Sequence, residues 1–204
     1  MMGLLISPWA YRLWQWPVAD KKISPLFEHN DLRSVRRVLD VGCGPGTNAR
    51  HFTSCDYVGL DINQSYIDFA KRRFKGTFFA TDITAPEALP SGRFDLILIN
   101  SLLHHLDDKA ALQLLQRART LLANEGRVHI FDLLLPETPS VARFLALRDR
   151  GNFPRPLEVW REMFHGIFEP ILFKPYPLGF FGISFWDMVY FTGKAGSLRS
   201  KRSP

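Results

Sequence analysis

Three carboxylates, three glycines and two adjacent histidines carry most of the chemistry this sequence could do. Asp40 stands two residues ahead of Gly42, Gly44 and Gly46, which alternate with Cys43 and Pro45. Glycine lets a backbone turn sharply and lets a ligand lie against the peptide groups themselves. Asp61 follows about twenty residues beyond this loop, where a nucleotide-binding fold places an acid that accepts hydrogen bonds from ribose hydroxyls. A carboxylate is acceptor-only and can hold two hydroxyls at once. Asp82 closes the next apolar stretch. A dinucleotide fingerprint needs Gly-x-Gly-x-x-Gly and aims a helix N-terminus at a pyrophosphate. The spacing Gly42-x-Gly44-x-Gly46 departs from it, and Asp40 would repel an anion, so a hydroxylated ligand with positive charge suits these residues better. His104 and His105 add imidazole, whose unperturbed pKa lies close to physiological pH. With Asp107 and Asp108 they adjoin in sequence and are expected to point in different directions, unlike two His at i and i+4, so no metal is expected.

The elements that must position these groups alternate. Val38 to Val41 reads as a strand running into the glycine loop, and Asn48 to Phe52 as the start of the first crossover helix. Tyr57 to Ile62 and Thr77 to Asp82 are further strands that end on acids. Between them, Ser65 to Phe74 carries Ile67, Phe69 and Ala70 on one side, with Lys71, Arg72 and Arg73 at the end where a helix dipole favours cations. Phe94 to Asn100 is an apolar run of the kind a buried parallel strand requires. A helix over Leu112 to Leu122, a turn at Asn124-Glu125-Gly126 and a strand over Arg127 to Leu135 follow. Such alternation predicts βαβ units and a parallel sheet with Asp40, Asp61 and Asp82 along one edge. Flanking it are a helix over Ser24 to Ser34, helices over Ser140 to Arg150 and Pro156 to Phe168, and two last strands over Ile171 to Gly179 and Phe185 to Thr192.

Taken together, Val38-Leu39-Asp40-Val41-Gly42-Cys43-Gly44-Pro45-Gly46-Thr47, Asp61, Asp82 and the run Asn100-Ser101-Leu102-Leu103-His104-His105-Leu106 resemble the class I S-adenosylmethionine-dependent methyltransferases. Around Arg148-Asp149-Arg150-Gly151 and Phe153 the sequence is similar to a subgroup of small bacterial members. The resemblance implies a doubly wound, Rossmann-like α/β domain with a seven-stranded, mostly parallel sheet and an antiparallel last strand. It implies S-adenosyl-L-methionine, which carries an ammonium and a sulfonium and no phosphate, as cofactor. Asp40, Gly42, Gly44, Gly46, Asp61, Ile62, Asp82, Ile83, Asn100 and Ser101 are then cofactor-binding residues. Among them Asp61 takes the ribose, Asp82 the adenine amino group, and Ile83 packs on the ring. His104 or His105 would serve as general base near the methyl donor, with packing or turn formation as the alternative role. Tyr11 and Trp14, in the aromatic segment Pro8 to Val18, would cover the cofactor and acceptor, or cap one edge of the domain. Arg148 and Phe153 would line the acceptor pocket, although Arg148 to Gly151 also reads as a helix C-terminus with cations and a glycine stop.

The bulk properties fit that expectation. The 204 residues, 46% hydrophobic and 23% charged, suit one globular domain with a decorated core. The expected division is an N-terminal aromatic cap over 1–35, a methyltransferase domain over 36–195 with an acceptor-side helical insertion at 136–170, and a basic solvated tail over 196–204. Two cysteines give neither a disulfide framework nor a structural zinc set and point to a reduced cytoplasmic setting. No segment has the features of a signal peptide or the length of a bilayer span. The N-terminal Trp and Tyr residues also suit peripheral membrane contact. A net charge of +6 permits attraction to anions, but the tail lacks interleaved aromatics, so nucleic acid is disfavoured as partner. The two aromatic-rich regions flanking the cofactor unit point to a small, apolar or lipid-like acceptor, methylated on O or N. A cofactor-binding domain without catalysis and a nucleic-acid methyltransferase are the competing readings.

Overall fold

The computed structural model describes residues 21–84, 91–149, 151–180 and 182–196. A helix α1 covers 21–29, and seven strands follow: β1 (Arg37–Val41), β2 (Asp56–Asp61), β3 (Thr77–Ala80), β4 (Phe94–Asn100), β5 (Leu122–Leu134), β6 (Glu169–Phe180) and β7 (Ile183–Lys194). Helices α2 (Gln64–Arg73), α3 (Asp108–Leu121), α4 (Val141–Ala146) and α5 (Leu157–His165) are interspersed. They build one sheet of order β3-β2-β1-β4-β5-β7-β6, in which β7 runs antiparallel to both neighbours. This is the doubly wound architecture with a reversed last strand that the sequence predicts.

Alternation along the central strands divides the core. Leu39 and Val41 of β1, Ile97 and Ile99 of β4 and Val128 and Ile130 of β5 pack with Leu115 of α3 and Trp160 and Phe164 of α5. Their neighbours Val38, Leu96, Leu98 and Phe131 join Ile23 and Leu26 of α1 and Ile67 and Ala70 of α2 on the opposite face. Both faces are covered, which is why β4 reads as a nearly unbroken apolar run. Asp40 belongs to the α1 and α2 face and is fully buried there.

Several boundaries differ from the sequence reading, and three of them bear on the site. The first crossover is a five-residue 3-10 helix, Thr47–His51, that starts from Gly46 in the left-handed region and stops at Phe52. β5 begins at Leu122 because Gly126 lets the chain fold against β4: a Cβ there would lie 2.5 Å from the Phe94 carbonyl oxygen, and the register shifts between Phe94 and Leu96. Helix α4 ends at Ala146 rather than at Arg150, and the following segment turns inward to the site. The expected lid residues Tyr11 and Trp14, like most of the basic tail, lie outside the described residues.

Candidate active site

β1 delivers its carboxyl end into a loop of three residues held at positive φ: Gly42 (71°), Gly44 (53°) and Gly46 (77°). L-residues with a side chain rarely adopt these angles, so the loop requires glycine at each. The amides of Gly42 and Cys43 both donate to the Leu60 carbonyl, at 2.8 and 2.9 Å, which ties the loop to β2. Asp61 at the end of β2 accepts from the Gly44 amide (2.8 Å) through one oxygen and from the Asn63 amide (2.8 Å) through the other. A carboxylate offers about four lone-pair positions, so acceptor capacity remains for a diol. Burial pushes the Asp61 carboxyl above its ordinary pKa, against those two backbone bonds.

Asp40 lies fully buried one strand position before the loop. Its Oδ2 accepts from Asn48 Nδ2 at 3.0 Å and from the Tyr57 hydroxyl, while Oδ1 has no hydrogen-bond partner. A buried carboxylate oxygen left in this way is costly unless a donor reaches it. Burial raises its pKa to about 6, opposed by the bonds from Tyr57 and Asn48. The folded state therefore holds this proton more tightly than the unfolded chain. The stability it contributes is present below about pH 4 and is lost as pH rises through 6. Asp40→Asn should accordingly unfold several degrees above the parent at pH 7.5 with no ligand added, and the gap should close near pH 4. Thermal unfolding at the two pH values checks this; an equal gap at both would show that the carboxylate's charge is not the cause.

Beyond Asp61, Ile62 is 80% exposed, a large apolar side chain left on the surface beside the glycine loop. Ile83 does the opposite: it is buried in the core cluster shared with Val58 and Leu60. Ile62 thus offers exposed apolar surface, whereas the side chain of Ile83, the residue expected against the adenine ring, packs into the core. Asp82 is exposed and accepts from the Thr84 amide and hydroxyl, both at 2.8 Å.

β4 ends at Asn100, and Ser101 is the non-glycine residue with positive φ (54°) among those described. Such backbone strain persists only where surrounding contacts enforce it; here the Ser101 amide donates to Phe131 at 2.7 Å. Leu102 then packs on the glycine loop, since a Cβ on Gly42 would sit 2.9 Å from its Cδ2. The 3-10 turn Leu103–His105 is thereby placed directly beside that loop.

Here the structure assembles a group that sequence reasoning only half found. His104 is buried, with Nδ1 2.6 Å from Asp132 Oδ1 and Nε2 3.3 Å from Asp149 Oδ1. Asp132, wholly buried near the end of β5, also accepts from the Leu103 and Leu133 amides at 2.8 and 2.7 Å. Burial of the His104 ring favours its neutral form, but Asp132 and then Asp149 outweigh this and raise its pKa to about 9. With a carboxylate beside each of its ring nitrogens, the His104 imidazole has no nitrogen left unpaired within the protein. His105 is exposed, its ring centroid 4.1 Å from that of His104. The charge of Lys22, on α1, also reaches Asp132 and Asp149.

The segment after α4 wraps this turn. Gly151 leaves no room for a side chain: a Cβ would lie 2.0 Å from His104 Cδ2 and 2.6 Å from its carbonyl oxygen. The Phe153 amide donates to that same carbonyl at 3.0 Å. Buried Arg155 donates to the carbonyls of Leu103 (3.0 Å) and Leu106 (2.7 Å) and to Asp108 (2.8 Å). Phe153, 40% exposed, borders the cluster, whereas the Arg148 guanidinium lies over the Phe144 ring, 4.4 Å from its centroid. The acid at the cluster is therefore Asp149, one residue beyond the expected Arg148. Asp132 had a legible signal, being the lone acid inside the apolar run from Val128 to Leu135. Arg155 had none, since a surface role would suit it equally.

Residues 38–126 match the family model described as a methyltransferase domain. Over 143 residues, 65% of this chain, the sequence is 32% identical to phosphoethanolamine N-methyltransferase 3 of Arabidopsis thaliana, covering 28% of it. Over 124 residues, 56% of this chain, it is 34% identical to trans-aconitate 2-methyltransferase of Methylobacterium radiotolerans, covering 45% of that protein. The chain thus spans less than half the length of these relatives. Among solved structures, human N-acetylserotonin methyltransferase in complex with S-adenosylmethionine superposes with a TM-score of 0.68 at 18% identity, over 93% of this chain and 55% of the human one. That likeness concerns the fold, and it agrees with the strand order found here. Residues 38–126 thus match a methyltransferase domain, and the fold of the described residues is that of solved methyltransferases.

Proposed function

We propose that the protein transfers a methyl group from S-adenosyl-L-methionine to an oxygen or nitrogen of a small organic acceptor with an apolar or lipid-like body. The observation that carries the reading is the glycine loop with Asp61 beneath it and the unpartnered Oδ1 of Asp40 buried beside it. A bare backbone cradle backed by carboxylates suits a hydroxylated, positively charged ligand and disfavours a pyrophosphate. The relatives named above take small molecules by their names, which supports an acceptor of that size.

When bound, S-adenosylmethionine supplies a methyl carbon already activated by its sulfonium, so that an acceptor lone pair forms the new bond as the carbon–sulfur pair stays on sulfur. What the chain must contribute is orientation and exclusion of water, worth about 7 to 11 kcal/mol in favourable cases. In this reading Asp61 holds the ribose hydroxyls, Ile62 one face of the adenine and Asp82 its amino group. Asn100 and Ser101 border the methyl donor. The cluster of His104, His105 and Asp149, with Phe153, forms the acceptor wall. A proton leaving a hydroxyl acceptor passes to this cluster, with exposed His105 the better placed of the two imidazoles. Incubating the protein with methyl-labelled S-adenosylmethionine and fractionated cell extract tests the reading. Label in a small organic-soluble product is the expected result; label confined to RNA or protein would overturn the acceptor class.

A further inference from the structure

We propose that His104, His105 and Asp149 form a site for a first-row divalent cation of the zinc class on the acceptor side, with Asp132 as the carboxylate that orients His104. One ring nitrogen of each histidine and one carboxylate oxygen of Asp149 lie within 4.8 Å of one another. Adjacency in sequence had pointed the other way. The tight 3-10 turn Leu103–His105 overrides it by setting the two rings 4.1 Å apart and tilted by 39°, while the chain brings Asp149 to them from beyond α4.

Two distances suit a cation site once the ligand atoms draw together around an ion. The 3.3 Å between His104 Nε2 and Asp149 Oδ1 is long for a charge-assisted hydrogen bond, which falls near 2.7 to 2.9 Å. It does match the edge of a tetrahedron, about 3.3 Å, around an ion bound at roughly 2.0 Å. The 2.6 Å contact from Asp132 to Nδ1 is the carboxylate–histidine pairing that fixes the ring of a ligating histidine and leaves Nε2 for the ion. Asp132 is itself held by two amides, and Asp149 by the Gly151 amide at 3.0 Å. Two imidazoles and one carboxylate leave a coordination position open, as at zinc sites that bind a reactant. The two carboxylates balance a dication, while Lys22 competes for the same negative charge.

The ion's position comes from these residues alone. Its task rests on the methyl-transfer reading and takes the place of the proton-accepting role given to His105 there, since a ligating nitrogen has no lone pair to spare: the ion would coordinate an acceptor hydroxyl, whose proton leaves to water more easily once the oxygen is bound, and the oxygen's lone pair then takes the methyl carbon. The test uses the full chain stripped by chelator and dialysed, titrated with zinc chloride by calorimetry, with metal content read after a second dialysis. One ion per chain is expected. His105→Ala and Asp149→Asn should each weaken zinc at least 100-fold, and Asp132→Asn about 10- to 100-fold, the scale for a partner behind a ligand. Thermal transitions show that each variant is folded, and His105→Gln stands in should the alanine variant fail. A parent chain that retains no zinc, or folded ligand variants that bind it as tightly as the parent, would overturn the site. S-adenosylhomocysteine affinity on the same samples reports separately on the methyl-transfer reading.

Discussion

Asp61→Ala is expected to weaken S-adenosylmethionine by about 2 to 3 kcal/mol, roughly 30- to 150-fold, the scale for losing hydrogen bonds to a charged acceptor. The carboxylate is placed for two tasks at once. It holds the Gly44 amide at 2.8 Å and so fixes the loop's shape, and its remaining lone pairs face the position of the ribose in the proposed complex. Asp61→Asn separates the two, because its amide oxygen can keep one backbone bond while its NH2 donates instead of accepting. Calorimetry on folded variants decides the matter, with the asparagine form expected between the other two. An alanine variant that binds as the parent does would remove Asp61 from the site and, with it, the alignment on which the cofactor residues rest.

Gly151→Ala should cost methyl transfer about 100-fold while leaving cofactor affinity nearly unchanged. A Cβ placed 2.0 Å from His104 Cδ2 cannot be accommodated by a side-chain rotation alone, because the His104 carbonyl is only 2.6 Å away. The 149–155 segment must therefore retreat from the Leu103–His105 turn, loosening the Phe153 amide bond and displacing Asp149. Displacement of reacting groups by about 1 Å is enough for a loss of that size, and overpacking of this kind also costs roughly 1 to 3 kcal/mol of stability. Steady-state turnover alongside S-adenosylhomocysteine titration reads the split. A variant that turns over at the parental rate would dissociate the segment from the acceptor site.

The conformation of the proposed cofactor half was legible because its residues are local in sequence and obey backbone rules. Gly42, Gly44 and Gly46 each need positive φ, and Asp61 ends a strand that pairs in parallel with β1. Strand alternation likewise placed every strand, since period two and a doubly covered sheet leave few other arrangements. The acceptor half was not legible to the same depth. His104 or His105 was expected as a base, with packing or turn formation as the alternative, because an imidazole's ordinary pKa lies near neutrality. The surroundings of His104 are set by Asp132 and Asp149, which lie 28 and 45 residues away and meet it only by folding. Ile62 and Ile83 illustrate the same limit: each follows an acid at or just beyond the end of a strand, yet one is exposed and the other buried. Which of them offers a surface depends on the helices packed behind, and no spacing rule reports that.

The central claim is that the Asp40–Gly46 loop and Asp61 form a site for S-adenosylmethionine rather than for a dinucleotide. The most direct measurement is a pair of calorimetric titrations of the full chain, one with S-adenosylhomocysteine and one with NAD. The account predicts saturable one-to-one binding of S-adenosylhomocysteine, weakened in Asp61→Ala, and no measurable heat from NAD. Saturable NAD binding with no response to S-adenosylhomocysteine would contradict it.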